Sequence, residues 1–284
     1  MSRPRILLSN DDGIHAVGLR TLAEALAALG EVWVVAPDRE RSAASHAISL
    51  HQPLRVRQLG PREYSVDGTP ADCVYLGLNH LLPEPPDLVV GGINHGPNLG
   101  NDVLYSGTVS VAMEGALFGR GAIAVSLCLP DSVRGRTLEA VDFAVAAEFV
   151  AKLADAVVAE PMPPGVLLNV NVPYLERAGV RGHKLCRLGY TDWADAVTER
   201  HDPRGRPYYW IAGQRNGTDA IGDSDNAAVD DGYISVTPIH YDVTDYRSFT
   251  YARHLALAGF DRARDALGDV TLPHPVHPKA RRRS

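Results

Sequence analysis

The chain has 284 residues, 45% of them apolar, which suffices to bury a sizeable core as one large domain or two small ones at about 150 residues per domain. Its 28 Lys and Arg against 34 Asp and Glu give −6, and four of the basic residues (Lys279, Arg281, Arg282, Arg283) crowd the last six positions, so residues 1–278 keep 24 basic against all 34 acidic residues and carry −10. An acidic body excludes the broad basic surface with which proteins hold nucleic-acid polymers, and three widely spaced cysteines (Cys73, Cys128, Cys186) without a C-x-x-C pair exclude a disulfide framework or zinc cluster and point to the reducing cytoplasm.

Short apolar runs at 5–9, 31–36, 87–91, 121–127 and 165–171 alternate with segments of helical period at about 17–29, 70–81, 108–118 and 137–156. This alternation predicts an α/β fold with a doubly wound, mostly parallel sheet covered on both faces. The first apolar run is too short for the core of a signal peptide. The Ala/Val-rich stretch 140–159 is broken by Asp142, Glu148, Lys152 and Asp155, so it is not expected to span a membrane. From about 183 the texture changes to Gly, Asp, Arg and aromatic residues. The runs 208–212 and 233–238 read there as strands of hairpins, forming a substrate lid or a dimer arm. Trp193, Tyr208, Tyr209 and Trp210 are available either to stack on a base or to pack across strands. The expected organisation is a catalytic core over 1–182, a hairpin-rich extension and oligomerisation arm returning to the core over 183–265, and a disordered basic tail over 266–284.

In open α/β sheets ligands bind beyond the carboxyl ends of the strands. The loop after the first strand reads Ser9-Asn10-Asp11-Asp12-Gly13, where two adjacent carboxylates can converge on one cation or can simply build a turn. The loop over 36–46 brings hydroxyl groups to the same edge. The third loop, 91–102, places glycines at 92, 96 and 100, which fits neither the dinucleotide fingerprint nor a P-loop, and presents the amides of Asn94 and Asn98. Tyr105-Ser106-Gly107-Thr108 then leads into the helical period of Val109, Ala112, Met113 and Ala116. That start is a capping signal and a phosphate site at once if one of Ser106 and Thr108 caps while the other meets the ligand. All the candidate donors to a cation are hard oxygens, which favours Mg²⁺, Mn²⁺ or Ca²⁺ over zinc and implies metal-assisted phosphate chemistry. His15, His46 and His95 lie beside these motifs, either as proton donors to a leaving oxygen or as hydrogen-bonding loop residues.

Taken with Ala36-Pro37-Asp38-Arg39-Glu40-Arg41-Ser42, Gly68-Thr69-Pro70-Ala71-Asp72-Cys73-Val74, Asp202-Pro203-Arg204-Gly205 and Gly232-Tyr233-Ile234-Ser235-Val236-Thr237-Pro238, these motifs stand in the order in which they occur in the SurE family of survival proteins. The chain resembles that family over roughly residues 4–245. The resemblance implies a Rossmann-like core, a 5′-nucleotidase acting on nucleoside monophosphates, with 3′-nucleotides and short polyphosphate as further substrates, and homodimers or homotetramers built through C-terminal arms. It implies one divalent metal ion per subunit held by Asp11, Asp12, Ser42 and Asn94, and a phosphate held by Asn98, Ser106, Gly107 and Thr108. Two mechanisms stay open: direct attack of water on phosphorus, or a covalent aspartyl-phosphate on Asp11 or Asp12. A nucleotide-binding regulatory module that does not hydrolyse its ligand, and a sugar-nucleotide transferase, are the competing functions.

Overall fold

The computed structural model describes residues 3–133, 135–194, 197–211, 214–218, 222–249 and 251. Its centre is a run of six parallel strands, β1 (Arg5–Ser9), β2 (Glu31–Pro37), β4 (Glu63–Val66), β5 (Leu88–His95), β6 (Gly121–Cys128) and β7 (Val166–Pro173), in the spatial order β4-β2-β1-β5-β6-β7. Strand order reverses between β1 and β5. This is the doubly wound arrangement expected, and the crevice at the carboxyl ends of β1 and β5 is the place where sheets of this kind take ligands.

Strand alternation explains why both faces are covered. In β1, Ile6 and Leu8 face one way and Leu7 the other; in β5, Leu88 and Val90 oppose Val89; all are fully buried. Helices α1 (Val17–Leu26) and α4 (Ala140–Ala159) close the first face through Leu19, Leu22, Leu26, Phe143 and Val150. Helices α2 (Pro70–Leu76) and α3 (Gly107–Leu117) close the second through Cys73, Val74 and Val111. Helix α2 starts at a capping box, with Thr69 accepting from the Asp72 N–H and Asp72 from the Thr69 N–H, and has Pro70 in its first turn. A π-helical turn, Gly77–Leu81, continues it to the end of the predicted segment.

The differences from expectation lie at the sheet's edges. An antiparallel partner of β4, β3 (Val56–Gly60), was not expected, and neither was β4 itself; β3 is almost wholly exposed and carries Arg57 and Gln58, so it lacks the apolar run by which buried strands announce themselves. The run 233–238 is not part of a hairpin. As β13 (Ile234–His240) it joins the main sheet antiparallel to β7, pairing Ser235 with Asn171 through to His240 with Val166, and β8 (His183–Leu185) lies parallel beyond it. The hairpin reading holds for 208–211, residue 212 lying outside the described residues: β10 (Val197–His201) pairs with β11 (Pro207–Ile211), and β9 (Thr191–Ala194) pairs with β12 (Gln214–Thr218), in two small sheets of their own. A short helix, α5 (Asp225–Asp230), leads into β13. The predicted disordered tail, 266–284, lies outside the described residues.

Candidate active site

The turn after β1 is built by Asn10. Its side-chain nitrogen donates to the Gly13 carbonyl (3.1 Å) and its side-chain oxygen accepts from the Gly13 N–H (3.2 Å), so the turn closes without using either aspartate. The loop after β2 is tied to it, the Arg41 N–H donating to the Asp11 carbonyl at 2.7 Å and the Ile14 N–H to the Pro37 carbonyl at 2.8 Å. Asp11 is buried and lies against the start of α3, where the Thr108 hydroxyl donates to its Oδ1 at 2.5 Å. A side chain at Gly107 would place a Cβ 2.7 Å from the Asp11 Cβ and 2.9 Å from its Oδ2, so only glycine lets the helix approach this closely.

Both carboxyls are held above their usual range. Burial raises Asp11, against the opposing effect of the Thr108 hydroxyl and of the Gly107 and Thr108 N–H groups. Burial also raises Asp12, to about 7, with the Asp11 charge adding to it and a hydrogen bond from the His95 backbone opposing. Asp12 Oδ2 is buried with no hydrogen-bond partner. A buried carboxylate, Asp11, beside a half-buried one, Asp12, whose Oδ2 is buried and orphaned, is an electrostatic vacancy for a cation. No cluster of three or more His, Cys, Asp or Glu side chains suited to a metal occurs among the described residues, so a cation here needs neutral oxygens beside the pair. Asn94, at the end of β5, fits: its amide nitrogen donates to the Gly96 carbonyl (2.8 Å), which leaves its oxygen as the acceptor. Ser42 fits less well, because its exposed hydroxyl donates to Glu40 Oε1 at 2.7 Å.

Of the phosphate candidates, Ser106 is the N-cap of α3, its Oγ accepting from the Val109 N–H at 3.0 Å. Thr108 serves Asp11, as above. Asn98 is buried and braced on all sides: its N–H donates to Asn171 Oδ1 (2.8 Å), its side-chain amide to Ser126 Oγ (2.8 Å), and its carbonyl accepts from Asn169 (2.8 Å) and Asn171 (3.0 Å). The histidines separate clearly. His15 is exposed beside Arg20, and His46 is bonded to the buried Glu114 (2.7 Å). Only His95 reaches the acidic pair, with Nδ1 3.8 Å from Asp12 Oδ1, and burial lowers it below the ordinary imidazole value, against Glu40. The charge of Glu40 acts on both Asp12 and His95, a part the motif over 36–42 does not disclose; the available signal is its place in the second loop at the point where strand order reverses.

An acidic pair, an adjacent helix N-terminus and a glycine-rich third loop stand at the switch point of the sheet, the edge at which open α/β proteins as a class take small charged ligands. The chain belongs to the SurE family: the model of "Survival protein SurE" matches residues 6–195. Among its relatives, the protein named 5′-nucleotidase SurE of Anaeromyxobacter dehalogenans (strain 2CP-C) is 54% identical over 261 residues, 91% of this chain and 98% of that one. Its namesake in Myxococcus xanthus (strain DK1622) is 50% identical over 262 residues, covering 91% and 95%. The crystal structure of the SurE protein from Aquifex aeolicus superposes with a TM-score of 0.77 at 42% identity, covering 88% of this chain and 98% of that one.

Proposed function

We propose that this chain is a metal-dependent 5′-nucleotidase, hydrolysing nucleoside 5′-monophosphates to nucleoside and phosphate. Family membership and the names of its relatives supply the reaction class. The observation that carries the metal requirement is the buried Asp11 carboxyl beside Asp12, whose Oδ2 is buried without a hydrogen-bond partner. Asp11, Asp12 and Asn94 would hold one divalent ion, Mg²⁺ or Mn²⁺ with Ca²⁺ able to enter the same oxygen donors, and Ser42 would join them by leaving Glu40. The ion's chemistry there is to polarise a phosphoryl oxygen and to acidify water.

The chain's own groups do the rest. Thr108 fixes the orientation of Asp11, Ser106 holds the first turn of α3 open towards the substrate, and that turn shares its N–H groups between Asp11 and the phosphate. Asn98 presents the remaining contact to the phosphate from a backbone that cannot shift. His95, neutral and 3.8 Å from Asp12, is the imidazole placed to exchange a proton during attack of water on phosphorus.

Phosphate release from AMP with Mg²⁺ or Mn²⁺, against an EDTA control, tests the reading. Release that needs the metal supports it; tight nucleotide binding without release overturns it in favour of a non-hydrolytic regulatory module. A phospho-enzyme trapped by acid quench would replace direct water attack by the aspartyl-phosphate route. The assembly proposed is a homodimer or homotetramer joined through the β9–β12 and β10–β11 hairpins, in the cytoplasm, where the three free cysteines stay reduced. No helix among the described residues is long and apolar enough to cross a membrane. Neither a membrane nor a nucleic-acid polymer is a proposed partner.

A further inference from the structure

Asp225 is fully buried in the first turn of α5, well away in sequence from every motif of the site. Its two carboxylate oxygens serve different segments. Oδ2 accepts from the Gly100 N–H at 2.9 Å, and Oδ1 accepts from the Gly189 N–H at 2.8 Å and from the Asn226 N–H at 2.9 Å. Gly100 follows Asn98 by two residues, and Gly189 precedes β9, the root of the hairpin arm, by two. The segments touch directly: a Cβ on Gly100, whose φ is +54°, would lie 2.7 Å from the Gly189 carbonyl oxygen. Next to this contact Asn101 Oδ1 accepts from the Thr191 N–H at 2.7 Å. On its other side the same loop is gripped by Asn169, Asn171 and Ser126 through Asn98.

A buried carboxylate is costly unless hydrogen bonds meet its charge, and here backbone N–H groups from separate parts of the chain do so. An amide of the same shape supplies one acceptor oxygen and turns a donor towards the other N–H. The carboxylate is therefore what allows one side chain to bind both segments.

We infer that Asp225 is a positioning residue that clamps the loop carrying Asn98 to the root of the arm, so that placement of the arm sets how the site handles phosphate. This rests on the proposed phosphate contacts of Asn98 and the start of α3. The acidic pair does not depend on the clamp, because it is held by the Asn10 turn and by Thr108.

The test uses the full-length protein and its D225N variant. The measurements are KM and kcat for AMP at saturating Mn²⁺, inhibition by inorganic phosphate, and Mn²⁺ affinity without nucleotide from the electron paramagnetic resonance of the free ion. The expected result is a rise of about tenfold in both KM and the phosphate inhibition constant, a smaller change in kcat, and Mn²⁺ affinity within about twofold of wild type. N101A, at a half-buried position, should move phosphate inhibition in the same direction by about threefold, and carries the test if D225N does not fold. Wild-type phosphate inhibition in a folded D225N, or in N101A where D225N does not fold, overturns the clamp, as does a loss of Mn²⁺ affinity that matches the loss of phosphate affinity. Failure of phosphate to compete with AMP in the wild-type enzyme would instead overturn the phosphate assignment itself, and the inference with it.

Discussion

The neighbouring carboxyls of Asp11 and Asp12 repel each other and lose hydration, so in the absence of a cation Asp12 holds its proton up to about pH 7. Asp12 has an ordinary value of 3.8 and, in the folded chain, a value of about 7. Across that window the folded state holds a proton that the unfolded state has released. The stability this confers is therefore complete below 3.8 and is lost as pH rises through about 7. In metal-stripped protein, Tm should fall between about pH 5 and about pH 8, and Asp12→Asn should flatten that fall. If the stripped variant's Tm tracks wild type at every pH, Asp12 is not the group responsible. At Gly107 local propensity and tertiary contact disagree: alanine is the better helix former, yet its Cβ would strike Asp11 at 2.7 Å. Gly107→Ala should lower kcat/KM by about 100-fold and destabilise by about 1–2 kcal/mol, read from steady-state kinetics and a urea midpoint. The pair Asp11–Asp12 was legible in the sequence because two carboxylates beside a glycine at a strand end are an unusual local choice. The demand for glycine at 107 was not, since the atoms that enforce it belong to residue 11.

At the scale of elements, the parallel core was readable because buried strands are continuous apolar runs, and a 3.6-residue period separates them from helices. Burial decides how legible a strand is: β3, exposed at the edge, leaves no such trace, whereas β13 leaves a clear one whose place in the sheet is set by its long-range pairing with β7. The same limit hid the asparagines of β7. Within Leu167-Leu168-Asn169-Val170-Asn171-Val172 they interrupt an apolar strand, and their purpose emerges only with Asn98, 71 and 73 residues away. Their bonds hold the third loop to the sheet. Replacing Asn171 by alanine leaves the buried Asn98 N–H without an acceptor, at about 1–3 kcal/mol for the unsatisfied group with more for the cavity, measurable as a lower denaturation midpoint. Phosphate inhibition should weaken in the same variant. An Asn171→Ala protein with wild-type stability and phosphate affinity would mean that water replaces the bonds without loss.

At the scale of the whole molecule, the net −10 over residues 1–278 opposes any association between copies, so a stable assembly needs a contact that outweighs it. The β10–β11 hairpin is the surface best suited. Val197 is 62%, Tyr209 58% and Ile211 89% exposed; Val197 pairs with Ile211 and Glu199 with Tyr209, which puts the three apolar side chains on one face. A two-stranded hairpin is marginal alone in water, and an uncovered apolar face on it is the kind of surface a second copy buries. Cutting the chain near 182 would be a poor test, because it removes β13 and with it the antiparallel neighbour of β7. Tyr209→Lys combined with Ile211→Lys keeps every strand and adds two charges to the face. In sedimentation velocity the wild type should run as a dimer or tetramer and the double variant as a monomer. Because like-charged bodies repel across the contact, raising NaCl from about 50 to about 500 mM should tighten the wild-type assembly, since the Debye length then shrinks to a few ångströms. An assembly that survives the double substitution, or that loosens with salt, places the subunit contact elsewhere and makes it electrostatic in origin.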